Sequence, residues 1–317
     1  MNSIISNIKN LQKKRILLNS IRKIPSCALL RDYYDNKKNT LIDNLLFSIA
    51  QKSELLKKYK DIDIKTLNPI GEKVWMFWYT GFEAAPPIVK KCVSIIKNIK
   101  DVDLILIDKT NLEKYFYFEG NIEKYFYSGE ISIQTFSDIL RCQLLSKRGG
   151  FWFDSTLFVI NKNFIHEHKD LSYWSIKHSA NDLLLKQKWN EYFTKGLWSI
   201  YGCGAGKDNP LFSFIYDMYL SYFELYNISF DYFQTDYTWL FAYTHFDWAK
   251  ELVDNITPCV SCSYYIGQHL KKVFNKSNWD MILRENSFQK LNWRIECKKS
   301  KKQTYYDYFI NSYQNND

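Results

Sequence analysis

Two acidic side chains and one basic one stand out for their spacing between Phe136 and Val159, in the run FSDILRCQLLSKRGGFWFDSTLFV. Asp138 and Arg141 are three apart in a segment of helical character, so they share a helix face. Alone, such a pair reads as a surface ion pair, common and weakly stabilising. Asp154 and Thr156 are two apart in a strand-like run, which puts them on one side, with Phe151 and Phe153 alternating onto the other. An aspartate near the end of a strand in an open α/β sheet stands where such folds bind ligands, although alone it reads equally as a turn residue. Carboxylates and a guanidinium so placed would act through charge-assisted hydrogen bonds and ion pairs.

The surrounding elements must bring these groups together. Lys73 to Tyr79 is aromatic and β-favouring and predicts a buried strand that ends at Gly81. Pro86-Pro87 opens a helix through about Ile99, with Val89, Cys92, Val93 and Ile96 on its apolar face. Val102 to Ile107 predicts a second strand, and strand–helix–strand order argues for a parallel sheet. A helix from about Thr135 to Lys147 stops at Gly149-Gly150. Phe151 to Val159 then reads as one strand. Leu197 to Cys203 reads as another, with Gly202, Gly204 and Gly206 in a tight turn near the ligand. Helices are expected from Asn209-Pro210 to Tyr226 and from Tyr232 to Tyr243. The near-copies NLEKYFY and NIEKYFY, at 111–117 and 121–127, read as two short helical segments without assigned chemistry; one duplication is no solenoid.

Composition bounds the rest. With 46% hydrophobic and 24% charged residues in 317, disordered and fibrous architectures are excluded and one large domain with an extension is expected. Forty-three basic against 34 acidic residues, formally +9, favours anionic partners without choosing among phosphates, nucleotides, lipid and nucleic acid. No apolar run approaches 18 residues and no leader pattern is evident, so neither a membrane span nor a signal peptide is expected. Seven dispersed cysteines read as free thiols in a reducing cytoplasm. Residues 1–68 look helical, and the pattern changes at Asn68-Pro69-Ile70-Gly71, which divides a helical extension, 1–68, from a main domain, 69–317. Within the extension, Ile4, Ile8, Leu11, Leu18 and Ile21 alternate with six basic residues between Lys9 and Lys23. That segment is either a helix packed on the main domain or one lying on an anionic membrane surface.

Taken together, Ser137-Asp138-Ile139-Leu140-Arg141, Gly149-Gly150 and Asp154-Ser155-Thr156 resemble the donor site of a GT-A glycosyltransferase. More closely, the pattern is similar to the capsular polysaccharide synthesis glycosyltransferases, relatives of the fungal initiating mannosyltransferases and of the glucosyltransferase domains of large clostridial toxins. Lys73-Val74-Trp75 with Trp78 and Gly81, then Ala85-Pro86-Pro87, resembles the family's first strand and helix. Asp231-Tyr232-Phe233 and Lys290-Leu291 resemble its downstream D-Y-F and K-L elements. The match covers roughly residues 70 to 295.

The resemblance implies an open, mostly parallel sheet flanked by helices, a UDP-sugar donor and transfer with retention of anomeric configuration. The implied acceptor is a growing surface glycan such as capsule or lipopolysaccharide, and the implied location is cytoplasmic, near the inner face of the membrane. Mn²⁺ or Mg²⁺ would bridge the donor diphosphate, held by Asp154, with Thr156 in place of the second aspartate of the general D-x-D motif. A threonine hydroxyl is a weaker ligand than a hard carboxylate. Asp154 and Asp231 are the implied catalytic residues. Asp138 would contact ribose or sugar hydroxyls, and Arg141 either a phosphate or Asp138. Trp75 would stack on uracil or fill the core; Lys290 would reach a phosphate or sit on the surface.

Other motifs carry less. Gly202 to Gly206 has neither a P-loop ending nor dinucleotide spacing, and Cys259-Val260-Ser261-Cys262 is one CxxC without a second pair. His166-Glu167-His168 reads as a polar loop. The rival class is a non-catalytic nucleic-acid or phosphate-binding protein, suited to the charge and the aromatics. It leaves the register of Asp138, Arg141, Gly149, Gly150 and Asp154 unexplained. A nucleic-acid partner is therefore not expected.

Overall fold

A computed structural model describes residues 5–7, 9–10, 13, 27–179, 194–295 and 301–313. Most of the basic segment between Asn2 and Lys23 lies outside the described residues.

The core is a five-stranded sheet of β1 (Lys73–Phe77), β2 (Asp103–Ile107), β3 (Gly150–Phe153), β5 (Tyr173–Ser175) and β6 (Gly202–Ala205), in the order β2-β1-β3-β6-β5. β1 runs parallel to β2 and β3, while β6 runs antiparallel to both β3 and β5. Four of the five strands thus point the same way, which is the expected open, mostly parallel sheet. β4 (Leu157–Val159) and β7 (Phe288–Lys290) form a small antiparallel pair, with Leu157 opposite Lys290.

Strand alternation sorts the aromatic residues into two cores, one on each face of the sheet. Trp75, Phe77 and Trp152 point to the face covered by helices Ile133–Arg148, Pro210–Leu225 and Gln234–His245. Val74, Met76, Phe151 and Phe153 point to the other, under helix Pro87–Lys97 and the β4–β7 pair. Both faces of β1 are buried, which is why its sequence reads as a continuous apolar run.

The sequence expectation of one strand over Phe151–Val159 is corrected. The chain breaks after Phe153 into a turn, where the Leu157 N–H donates to the Asp154 carbonyl at 2.7 Å, and restarts as β4 in a different sheet. Asp154 and Thr156 lie in that turn, not on a strand. The glycine-rich run is corrected as well: Gly202 and Gly204 are within β6, not in a turn. A Cβ on Gly204 would stand 2.7 Å from the Phe151 ring, so the small residue makes room for a packed aromatic. His166 to His168 closes a short helix, Phe164–His168, rather than a loop.

Helix Cys27–Lys52 of the extension packs into the main core. In helix Cys27–Lys52, residues Ile42, Leu45, Leu46 and Ile49 follow the spacing of an apolar stripe. They are buried in the core that contains Trp75, Phe214 and Phe241. The two short helical segments occur as expected, at Leu112–Tyr115 and Ile122–Tyr127.

Candidate functional site

Helix Ile133–Arg148 delivers Asp138 and Arg141. It begins at Ser132, whose hydroxyl accepts the Thr135 N–H at 3.1 Å, and ends at Gly149. Gly149 and Gly150 have φ of +67° and +107°, conformations that a side chain disfavours. A Cβ on Gly150 would lie 2.8 Å from the Lys73 carbonyl. The Gly-Gly pair therefore reverses the chain sharply and sets β3 directly against β1.

Trp75 secures that reversal. Its indole N–H donates to the Gly149 carbonyl at 2.8 Å, and its ring meets Tyr115 edge-on. It is 1% exposed, in the middle of β1. The expectation that it stacks on uracil is corrected, because no face is open to a base. The tryptophan beside the strand's end is Trp78, half-buried, which meets Trp293 edge-on at 5.2 Å. Arg294 lies over the Trp293 ring at 4.5 Å. The sequence reading named Trp78 only within the first strand, expected through Tyr79, and gave it no role at a base; Trp293 was missed, and β1 ends at Phe77.

Asp154 follows β3 directly, at the carboxyl edge of the parallel strands, where open α/β sheets bind ligands. One carboxylate oxygen accepts from Arg141 at 3.0 Å and from the Trp152 indole at 2.9 Å. The other accepts from Lys290 at 2.5 Å. Arg141 also forms an ion pair with Asp138 at 3.1 Å and lies over Trp152 at 4.8 Å. The result is a chain of alternating charge, Asp138–Arg141–Asp154–Lys290. The pair on the helix is not a surface pair: Arg141 is 3% exposed, while Asp154 keeps 27% of its side chain open. The Arg141 Nε has no hydrogen-bond partner among the described residues.

The electrostatics differ along the chain of charges. Burial pushes Asp154 up, but Lys290 and then Arg141 outweigh it and hold its carboxyl below the ordinary range. Burial dominates at Asp138, raised to about 6 despite Arg141, with the Asp154 charge adding to the rise. Asp236, on helix Gln234–His245, is raised to about 7 by burial and by Asp138. Its Oδ1 accepts the Trp198 indole N–H at 3.0 Å.

Asp231 precedes that helix. Its carboxylate accepts the Phe233 N–H at 2.8 Å and pairs with buried Lys38 from helix Cys27–Lys52. Lys38 was missed, yet it falls in the same helical row as Ile42, Leu45 and Ile49. A lysine in register with a buried stripe signals a buried partner. Tyr232, beside Asp231, is 75% exposed and within electrostatic reach of Asp138 and Asp154. The structure thus links Asp138, Arg141, Asp154 and Lys290 in one chain of contacts, while Asp231 pairs with Lys38 and Trp75 sits in the core.

Thr156 is buried, 6% exposed, and its carbonyl accepts the Leu291 N–H at 2.9 Å. Ser155, also buried, donates to the Phe77 carbonyl at 2.8 Å. A divalent cation fits this set poorly. Both oxygens of Asp154 already face cationic donors, the Ser155 hydroxyl is engaged with the Phe77 carbonyl, and no group of three His, Cys, Asp or Glu suited to a metal occurs among the described residues. Cys259 and Cys262 are free thiols. No described helix is long and apolar enough to cross a membrane.

The family described as "Capsular polysaccharide synthesis protein" matches residues 27–309. That span includes helix Cys27–Lys52, which the sequence reading set apart. A comparison with curated proteins gives no match. Among solved structures, one described as "PaToxG Glycosyltransferase" is similar at 16% identity, over 68% of this chain and 80% of its own, with a TM-score of 0.37.

Proposed function

The chain belongs to the capsular polysaccharide synthesis protein family, and on that premise we propose that it is a glycosyltransferase whose donor is a UDP-sugar bound over the Asp138–Arg141–Asp154–Lys290 chain. The single observation that carries this reading is the set of alternating charges at the carboxyl edge of β3. Carboxylates suit ribose and sugar hydroxyls, and cations suit a diphosphate. The half-buried Trp78 and exposed Trp293 offer the aromatic surface for the base. Transfer proceeds with retention, and Asp231 orients the acceptor or the donor sugar. The acceptor is a growing surface polysaccharide, capsule or lipopolysaccharide outer chain. If that acceptor is carried by lipid, the basic segment between Asn2 and Lys23 would hold the enzyme at the anionic face of the cytoplasmic membrane.

UDP release from a panel of UDP-sugars is the direct test. We expect release with one or a few sugars, and a loss of at least about 100-fold in Arg141→Ala. That variant leaves two carboxylates without their shared cation, and breaking a buried pair in this way costs about 3–5 kcal/mol. Release unaffected in a folded Arg141→Ala protein would overturn the assignment of the site.

A further inference from the structure

The donor set at Asp154 raises a question of charge. As a nucleotide sugar reacts, the bond from the anomeric carbon to the diphosphate oxygen breaks and its electron pair stays on that oxygen. A bond forms from the acceptor hydroxyl oxygen to the anomeric carbon, and the hydroxyl proton leaves to the departing phosphate. Negative charge grows on the diphosphate, and something positive must meet it.

Lys290 is built for that place. It ends β7, and pairing with Leu157 fixes it opposite the turn that carries Asp154. Its backbone N–H donates to the Ser263 carbonyl at 2.6 Å, and the Leu291 N–H to Thr156. The ammonium rests 2.5 Å from Asp154 Oδ2 and 5.1 Å from the centre of the Tyr201 ring, with 18% of the side chain open. A divalent cation using that oxygen would have to expel the ammonium and then stand beside Arg141. Ser155 is not turned to assist it, because its hydroxyl donates to the Phe77 carbonyl.

We propose that Lys290 takes the part of the divalent cation: with Arg141 it neutralises the diphosphate of the donor, and Asp154 positions the ammonium instead of ligating a metal. The proposal rests on the sugar-nucleotide reading above. Lysine carries its charge on a flexible four-carbon stem, so the ammonium can turn from Asp154 to a phosphate without moving the strand.

The test uses the full chain and UDP as the probe, by calorimetry in chelator and in Mn²⁺. We expect wild-type affinity to be the same in both buffers. Lys290→Met, which keeps the stem and removes the charge, should weaken UDP by roughly tenfold to a hundredfold in chelator. It should also acquire Mn²⁺ sensitivity, because Asp154 Oδ2 is then released. A merely structural lysine would not produce that gain. Wild-type binding at least about tenfold tighter in Mn²⁺ overturns the lysine proposal and leaves the donor reading standing. So does a folded Lys290→Met protein that binds UDP like wild type in chelator. No UDP binding in either buffer overturns the donor reading, and this proposal with it. Should Lys290→Met fail to fold, the wild-type comparison alone decides.

Discussion

Arg141 faces two carboxylates at once, and its burial is what separates it from an ordinary helix-surface pair. The same burial makes the next acid along, Asp236, reluctant to ionise. Its carboxyl is raised to about 7 by burial and by the Asp138 charge, against an ordinary value of 3.8. The sign follows from proton linkage. The folded state binds this proton more tightly than the unfolded one, so the contribution to stability is full below about pH 3.8 and is lost as pH rises towards 7. Asp154 works in the opposite direction: its carboxyl is held low, so its contribution is present above the unfolded value and lost as pH falls through the folded one. Asp236→Asn keeps the oxygen that accepts from Trp198 and removes the charge. It should raise Tm at pH 8 by at least about 2–4 °C, which corresponds to about 1 kcal/mol in a large domain, and raise it distinctly less at pH 5, where much of the contribution survives. Thermal unfolding of both proteins across pH 5–8 checks this. An equal effect at both pH values would show that Asp236 is ionised throughout.

At the scale of elements, two glycines and one tryptophan set the site. Helix Ile133–Arg148 and β3 can place Arg141 beside Asp154 only because the chain reverses within Gly149-Gly150. Gly150→Ala requires a side chain at φ +107° and 2.8 Å from a backbone carbonyl on β1. That carbonyl belongs to the sheet and cannot easily yield. We expect a loss of about 2–4 kcal/mol, read from denaturant unfolding, with activity falling as Asp154 shifts from Arg141. Wild-type stability would mean that the turn can relax. The Gly-Gly stop and the strands around it were legible in the sequence because glycine and apolar runs act locally. The break after Phe153 was not, because Asp154, Ser155 and Thr156 leave the sheet in answer to distant partners: Lys290, the Phe77 carbonyl and Leu291. Trp75 was misread for a related reason. Its type suits base stacking equally well, and only the neighbouring strands decide that Trp75 is covered while Trp78, just beyond β1, is left half-buried.

For the molecule as a whole, the decisive matter is where the enzyme begins as a folding unit. The turn at Asn68-Pro69 looks like a domain boundary from sequence, since helical character gives way there to strands. Packing carries the core across it. Ile42, Leu45, Leu46 and Ile49 lie in the same apolar cluster as Phe212, Phe214 and Phe241, and the Trp248 indole donates to the Tyr59 carbonyl at 2.7 Å. Lys38 meets Asp231 from the same helix, so the helix serves the site as well as the core. Fully burying each of those four aliphatic side chains is worth roughly 1.5–3 kcal/mol, and their sum rivals the whole stability of an ordinary domain, about 5–15 kcal/mol. A chain of residues 69–317 should therefore aggregate or unfold, while residues 27–317, the span where the family match starts, should melt within a few degrees of the full chain. Circular dichroism and size-exclusion chromatography of both truncations test this. A cooperative, monomeric 69–317 would make the helix a dispensable cover. Binding to anionic vesicles belongs to the shorter truncation alone. If 27–317 loses an affinity that the full chain shows at low salt, where screening is weakest, the basic segment before residue 27 acts on the membrane. If both proteins bind equally, the attraction comes from the folded enzyme.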